Sequence, residues 1–204
     1  MADSPTVYLI GGAPGVGKST LGRELATRIG ATSPSADDLM IAAKGATTVQ
    51  SHPGLHVMSR LPYPEYFTMS SVEQLKADAT IQHDAMWPAI ESVVQAHSKW
   101  GPRVVIDGWF MRPHRVAALC LPNVRSLWLV ADPGVLADRE ALNIQFWGRS
   151  ADPERMRANF LARSLWYNEL IQEEARTLGL RILVQDGQVS PSELCTRALA
   201  NENG

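Results

Sequence analysis

Short apolar runs alternate with longer stretches of helical periodicity along this chain, and that alternation sets the first expectation. Val7 to Ile10 is β-rich and ends at Gly11-Gly12, which predicts a buried central strand. Leu21, Leu25 and Ile29 then recur at helical spacing from Gly17 onward, and Gly30 supplies the stop. A short strand is predicted near Thr32 to Ala36, followed by a helix that opens on Asp37-Asp38 and runs to about Ala43. Residues 45–70 contain Gly45, Pro53, Gly54, Pro62 and Pro64, which predicts a long irregular segment of the binding-loop or lid kind. From Ser71 to Trp100 the pattern is helical again, with a kink or break expected at Pro88. "RVVIDG" and "SLWLVA" predict two further strands, and helical stretches over 134–146 and 153–178 flank "WGRSADP". "RILVQDG" predicts a last strand, and a terminal helix follows with Ser190 as cap and Pro191 at its first position. Strands alternating with helices imply an α/β chain built on a mostly parallel sheet, organised as one domain over residues 1–204.

Composition narrows the class. With 204 residues and 45% hydrophobic content, the chain can bury a sizeable core. Nineteen basic against 21 acidic side chains leave a net charge of −2, which argues against a general nucleic-acid or membrane-surface binder. Cys120 and Cys195 lie far apart and form no C-x-x-C pair, and the five histidines contain no H-E-x-x-H motif, so a zinc site is not expected. "MADSP" lacks the basic region of a secretory signal, and no apolar run approaches the roughly 18 residues of a membrane span. A soluble, cytoplasmic protein is the expectation.

One stretch carries specific chemistry. Gly12, Ala13, Pro14, Gly15, Val16, Gly17, Lys18 and Ser19 satisfy G-x-x-x-x-G-K-[ST], and the run sits between a predicted strand and a predicted helix. Glycines let the backbone turn so that successive N–H groups face phosphate oxygens, and the helix start behind them favours an anion. Lys18 can reach the terminal phosphates, the Ser19 hydroxyl can hold Mg²⁺, and Thr20 continues the binding turn. ATP and Mg²⁺ are therefore the expected cofactors. No Asn-Lys-x-Asp motif for reading guanine is present, and the small size favours a kinase over a motor ATPase.

Acids and arginines supply the remaining candidates. Asp107 ends the "VVIDG" strand, where it can orient Mg²⁺ together with Ser19; a turn or cap aspartate is the alternative. Asp37 and Asp38 follow another predicted strand, where one could accept a hydroxyl proton and both could equally cap a helix. Among Arg139, Arg149, Arg155, Arg157 and Arg163, the Gly-flanked Arg149 is the candidate for stabilising the transferring phosphoryl group, and Arg139 for stacking on the base. Arg112 and Arg115 of "RPHR" could hold an anionic group or merely flank a helix start. Asp38, Arg60, Asp107, Trp109 and Arg112 make up the expected acceptor pocket.

"GGAPGVGKST", "ADDLM" and "VVIDG" together resemble the small-molecule P-loop kinase superfamily, in pattern most like chloramphenicol phosphotransferase-like and zeta-toxin-like enzymes. The resemblance implies a three-layer fold with a five-stranded parallel sheet in the order 2-3-1-4-5, flanked by helices and closed by a helical lid. It also implies Asp37 as general base, residues 45–100 as substrate-binding region and residues 139–163 as lid. The expected activity is transfer of the ATP γ-phosphate to a hydroxyl of a small acceptor such as an antibiotic, a sugar or a related metabolite. Two alternatives are a nucleotide-dependent switch acting on a protein partner and a toxin-like or polynucleotide kinase.

Overall fold

In the computed structural model, which describes residues 6–200, the strand β1 (Val7–Gly12) has all six residues buried and lies between two parallel neighbours. These are β2 (Val104–Gly108) on one side and β3 (Val124–Ala131) on the other, with β4 (Ile182–Gln185) pairing parallel to β3. With helices on both faces of the sheet neither face is polar, which is why "VYLI" and "VVI" are continuous apolar runs.

Among the described residues the sheet has four strands in the order β2-β1-β3-β4, which corrects the expected five-stranded sheet. The segment predicted as a strand at Thr32 to Ala36 makes only two isolated parallel bridges along the outer edge of β2, Thr32 to Val104 and Ser35 to Asp107. Pro34 lies between them and has no N–H to donate, so a continuous ladder cannot form there.

The helices are α1 (Lys18–Ile29), α2 (Ala36–Gly45), α3 (Tyr63–Met69), α4 (Val72–Lys99), α5 (Pro113–Ala118), α6 (Pro133–Ala141), α7 (Ile144–Trp147), α8 (Pro153–Thr177) and α9 (Pro191–Leu199). α1 packs on α9 and β2, whereas α4 and α8 pack on each other and on β1. Two expectations change. α4 runs through Pro88 without a break, because Met86, Trp87 and Ile90 are buried around the proline and hold the turn. The irregular segment 45–70 is partly ordered into α3 and a 3₁₀ turn at Val57–Ser59, with Pro62 and Pro64 setting the helix start.

Two apolar cores result. The larger lies against the sheet; the smaller, formed by Tyr66, Phe67, Leu75, Trp147, Met156 and Phe160, ties α3, α4, α7 and α8 together. Phe160 of the smaller core also lines the cavity described below. No described helix is long and apolar enough to cross a membrane.

Candidate active site

The turn from β1 into α1 is built to face an anion. Gly15 and Gly17 take φ of 80° and 99°, left-handed values that a side chain would strain. α1 starts at Gly17 with no side-chain cap and no acid in its first turn. Its first amides and positive dipole end are left for a ligand. Lys18 donates from Nζ to the Ala13 carbonyl at 2.8 Å, which folds the ammonium back over the loop. Loss of water there lowers its pKa to about 8, while Asp37 and Asp107 act in the opposite direction.

Asp107, at the end of β2, and Asp37, in the first turn of α2, meet this loop differently. The parallel register sets Ile10 beside Asp107, so the carboxylate stands one strand away from the loop. Ser19 Oγ donates to Asp107 Oδ2 at 2.7 Å across 88 residues of sequence, and Asp107 is buried. Asp37 does not cap α2. Ser35 does, accepting from the Asp37 N–H at 3.1 Å, and the Asp37 carboxylate is left to line a cavity with Lys18. Loss of water raises the Asp37 pKa, with Asp107 and Asp38 adding to the rise and Lys18 opposing it. Asp38 is exposed in the first turn of α2 and is not among the residues lining that cavity.

The cavity has a volume of about 500 Å³, a size suited to a small organic molecule. Pro14, Met40, Met58, Leu61, Trp109 and Phe160 give it apolar walls, and Lys18, Asp37, Lys44, Ser59, Tyr63, Gln82 and Arg163 give it polar ones. A second cavity, of about 330 Å³, is lined by Gly15, Gly17, Thr20, Arg139 and Gln185. Arg139 donates to the Gly15 carbonyl at 2.9 Å, so it braces the loop from that cavity.

The arginines are arranged differently from the expectation. Arg60 is ion-paired with buried Asp78, which also accepts from Tyr66 at 3.0 Å and from Gln74 at 2.8 Å. Arg112 is ion-paired with Glu174, pinning α5 to α8, and Arg115 with Asp84. Neither Arg60 nor Arg112 lines the large cavity. Arg149 is exposed in the turn between α7 and α8, away from it. Trp109 is where the sequence suggests, in the cavity wall.

The arginine that does reach the cavity is Arg163. It is only 3% exposed, with its guanidinium 4.6 Å from the ring centres of both Phe67 and Trp109 and 5.0 Å from that of Phe160. A signal for it exists in the sequence. Met156, Phe160, Tyr167 and Ile171 recur at helical spacing on α8, and Arg163 stands on that buried stripe, where a cation needs a reason. Lys44, Tyr63 and Gln82 gave no comparable signal, since their loops and helix faces become walls only on folding.

Magnesium fits the residues present. Ser19 and Asp107 offer one hydroxyl and one carboxylate side by side, the oxygen donors such an ion takes alongside phosphates and water. Among the described residues no group of three or more His, Cys, Asp or Glu side chains could hold a metal without such added ligands.

No family model matches the chain. A 2-phosphoglycerate kinase from Pyrococcus furiosus is 29% identical over 110 residues, covering 53% of this chain and 36% of that protein. The chain thus aligns with little more than a third of the length of the curated relative it matches. Among solved structures, a gluconokinase from Sinorhizobium meliloti superposes with a TM-score of 0.55 at 17% identity, covering 96% of this chain and 90% of that one. A sugar kinase from a Janibacter species gives 0.57 at 18% identity, covering 96% and 93%. A shikimate kinase from Acinetobacter baumannii, in complex with shikimate, gives 0.50 at 16% identity, covering 100% and 97%. The fold is therefore the one these small-molecule kinases share: a parallel sheet flanked by helices, with the phosphate loop after β1.

Proposed function

We propose that the chain is an ATP-dependent kinase that moves the γ-phosphoryl group onto a hydroxyl of a small acceptor. The observation that carries this reading is the shared boundary of loop and cavity. Lys18 and Asp37, a phosphate-reaching cation and an uncapped carboxylate, line one cavity large enough for an acceptor. A switch protein needs the loop, and can use a carboxylate to orient water, but has no use for an acceptor-sized cavity shared with them.

The chain's own residues would divide the work as follows. Loop amides, the start of α1 and Lys18 hold the β- and γ-phosphates. Ser19 and Asp107 would hold magnesium, which would supply charge neutralisation on the phosphates. Asp37 accepts the proton of the acceptor hydroxyl as its oxygen bonds to the γ-phosphorus and the bond to the ADP oxygen breaks. A raised carboxyl pKa suits that step, because a base nearer the working pH takes a proton more readily. Residues 45–100 supply the acceptor walls through Met58, Ser59, Leu61, Tyr63 and Gln82. The second cavity suits the base, with Arg139 at its edge. Residues 139–163 are the lid, with Arg149 the candidate to swing in and Arg163 already in the cavity.

Incubation with ATP, Mg²⁺ and a panel of hydroxylated metabolites and antibiotics, followed by mass spectrometry, should reveal a compound carrying one added phosphoryl group. Asp37→Asn should then lower kcat by about 10²- to 10⁴-fold and leave the nucleotide dissociation constant unchanged. Full turnover by that variant would remove Asp37 from the role of base. ATP hydrolysis with no phosphorylated product from any compound would favour a switch.

A further inference from the structure

The large cavity holds more positive charge than the transfer of a phosphoryl group to a neutral alcohol requires. Lys18 is accounted for by the phosphates, and Asp37 by the acceptor proton. Two cations are left over, Lys44 and Arg163. Their surroundings set them apart from the arginines that sequence suggested for an anion. Arg60, Arg112 and Arg115 are each neutralised within the fold by Asp78, Glu174 and Asp84. Among the described residues, no carboxylate comes within ion-pair distance of Lys44 or Arg163.

Arg163 is the sharper case. Three aromatic rings flank its guanidinium, so its N–H edges rather than its faces are what remain for a partner. Its Nε is buried without a hydrogen-bond partner. Its polar neighbours include the Tyr63 hydroxyl and, beyond ion-pair distance, the Glu140 carboxyl, whose own pKa burial raises. A buried guanidinium without an ion-paired carboxylate is costly to maintain, and a ligand anion removes the cost. Lys44 reaches the same cavity from α2, with Ser59 Oγ accepting from its Nζ. A neutral acceptor would strip water from both cations and return no charge to either.

We propose that Lys44 and Arg163 form an anion subsite of the acceptor cavity, and that the acceptor is a small hydroxylated carboxylate or phosphate monoester. This rests on the kinase reading for the word acceptor, but not for the subsite. The anionic head lies between Lys44 and Arg163, the carbon skeleton lies against Met40, Met58 and Trp109, and a hydroxyl is turned to Asp37. Arg163, fixed by its rings, offers a planar fork for the head group, whereas Lys44 is a movable point charge.

The test separates the subsite from the chemistry. With the phosphate loop saturated by a non-hydrolysable ATP analogue and Mg²⁺, inorganic phosphate and acetate are titrated at constant ionic strength, and the shift in melting temperature is followed. A saturable rise with at least one ion is expected, and the more effective ion distinguishes a phosphate head from a carboxylate. Lys44→Met and Arg163→Met should each weaken that binding at least tenfold, and Arg163→Lys should restore part of it. Should Arg163→Met fail to fold, the half-buried Lys44 still carries the test. No saturable rise with either ion, or an undiminished rise in Lys44→Met, overturns the proposal. A turnover arm uses D-gluconate against D-glucose, and D-glycerate and glycerol 3-phosphate against glycerol. Turnover of a neutral member with a KM that Lys44→Met leaves alone also overturns it. Anion binding without turnover of any compound leaves the subsite standing and counts against the kinase reading instead.

Discussion

His83 makes stability a function of pH in a range where few other groups titrate. The imidazole is 1% exposed on α4, packed edge-on against Trp109 at 4.3 Å, Tyr167 at 5.0 Å and Phe110 at 5.2 Å between ring centres. Neither ring nitrogen has a hydrogen-bond partner. Loss of water, followed by repulsion from Arg112, Arg163 and Arg115, holds its pKa well below 6.5. In the unfolded chain the same imidazole takes up a proton near pH 6.5. Below that pH the unfolded state binds one more proton than the folded state, so stability is fully present above about pH 6.5 and declines as pH falls. The limiting slope is about 1.4 kcal/mol per pH unit, and the loss by pH 5.0 approaches about 2 kcal/mol. For a chain of this length that corresponds to a fall in Tm of roughly 4–8 °C.

The assay is urea unfolding from pH 8.0 to 5.0 on the wild type and on His83→Phe, which keeps an aromatic ring in the slot. Asp37 and Glu140, with raised pKa values, bend the pH profile the other way, but they are common to both proteins and cancel in the difference. The difference in stability should be constant above pH 7. Below pH 6.5 the wild type should lose ground to the variant at up to about 1.4 kcal/mol per pH unit. A difference that stays flat to pH 5.0 would mean that the folded protein protonates His83 as readily as the unfolded chain does, and would overturn this account.

Two further outcomes follow from the site and its supports. With a pKa of about 8, the Lys18 ammonium loses its charge as pH rises past that value, so the dissociation constant for ATP should climb by up to about tenfold per pH unit above pH 8. Isothermal titration across pH 7–9.5 checks this, and the climb should vanish in Lys18→Met. Asp78→Ala strands the Tyr66 hydroxyl and the Gln74 amide, and should cost about 2 kcal/mol in urea unfolding while Arg60, half exposed, is resolvated.

Locally encoded features were legible in the sequence. The phosphate loop is eight consecutive residues whose backbone amides and one lysine side chain act within the loop itself, so no distant partner is needed to recognise it. Asp107 could be assigned to a strand end because "VVI" before it has no polar face. Asp37 was legible only as one of two acids beside a possible cap. Ser35, two residues earlier, decides the matter by taking the cap itself and leaving the carboxylate in the cavity.

Legible in the chain alone, then, are the alternation of strands and helices, the phosphate loop and the strand-end Asp107. Tertiary structure alone decided the rest, because charge partners are chosen by proximity in space. Ser19 meets Asp107 across 88 residues. Asp78 and Glu174 claim Arg60 and Arg112 from other elements, and the absence of both arginines from the cavity lining is visible only once those helices pack. The same packing lifts Arg163 out of an ordinary helical charge run and seats it among three rings at the cavity wall. Pro34 and Pro88 make the same contrast in the backbone. Where edge pairing depended on an N–H the proline lacks, the strand failed to form, and where buried side chains surrounded the proline, the helix continued.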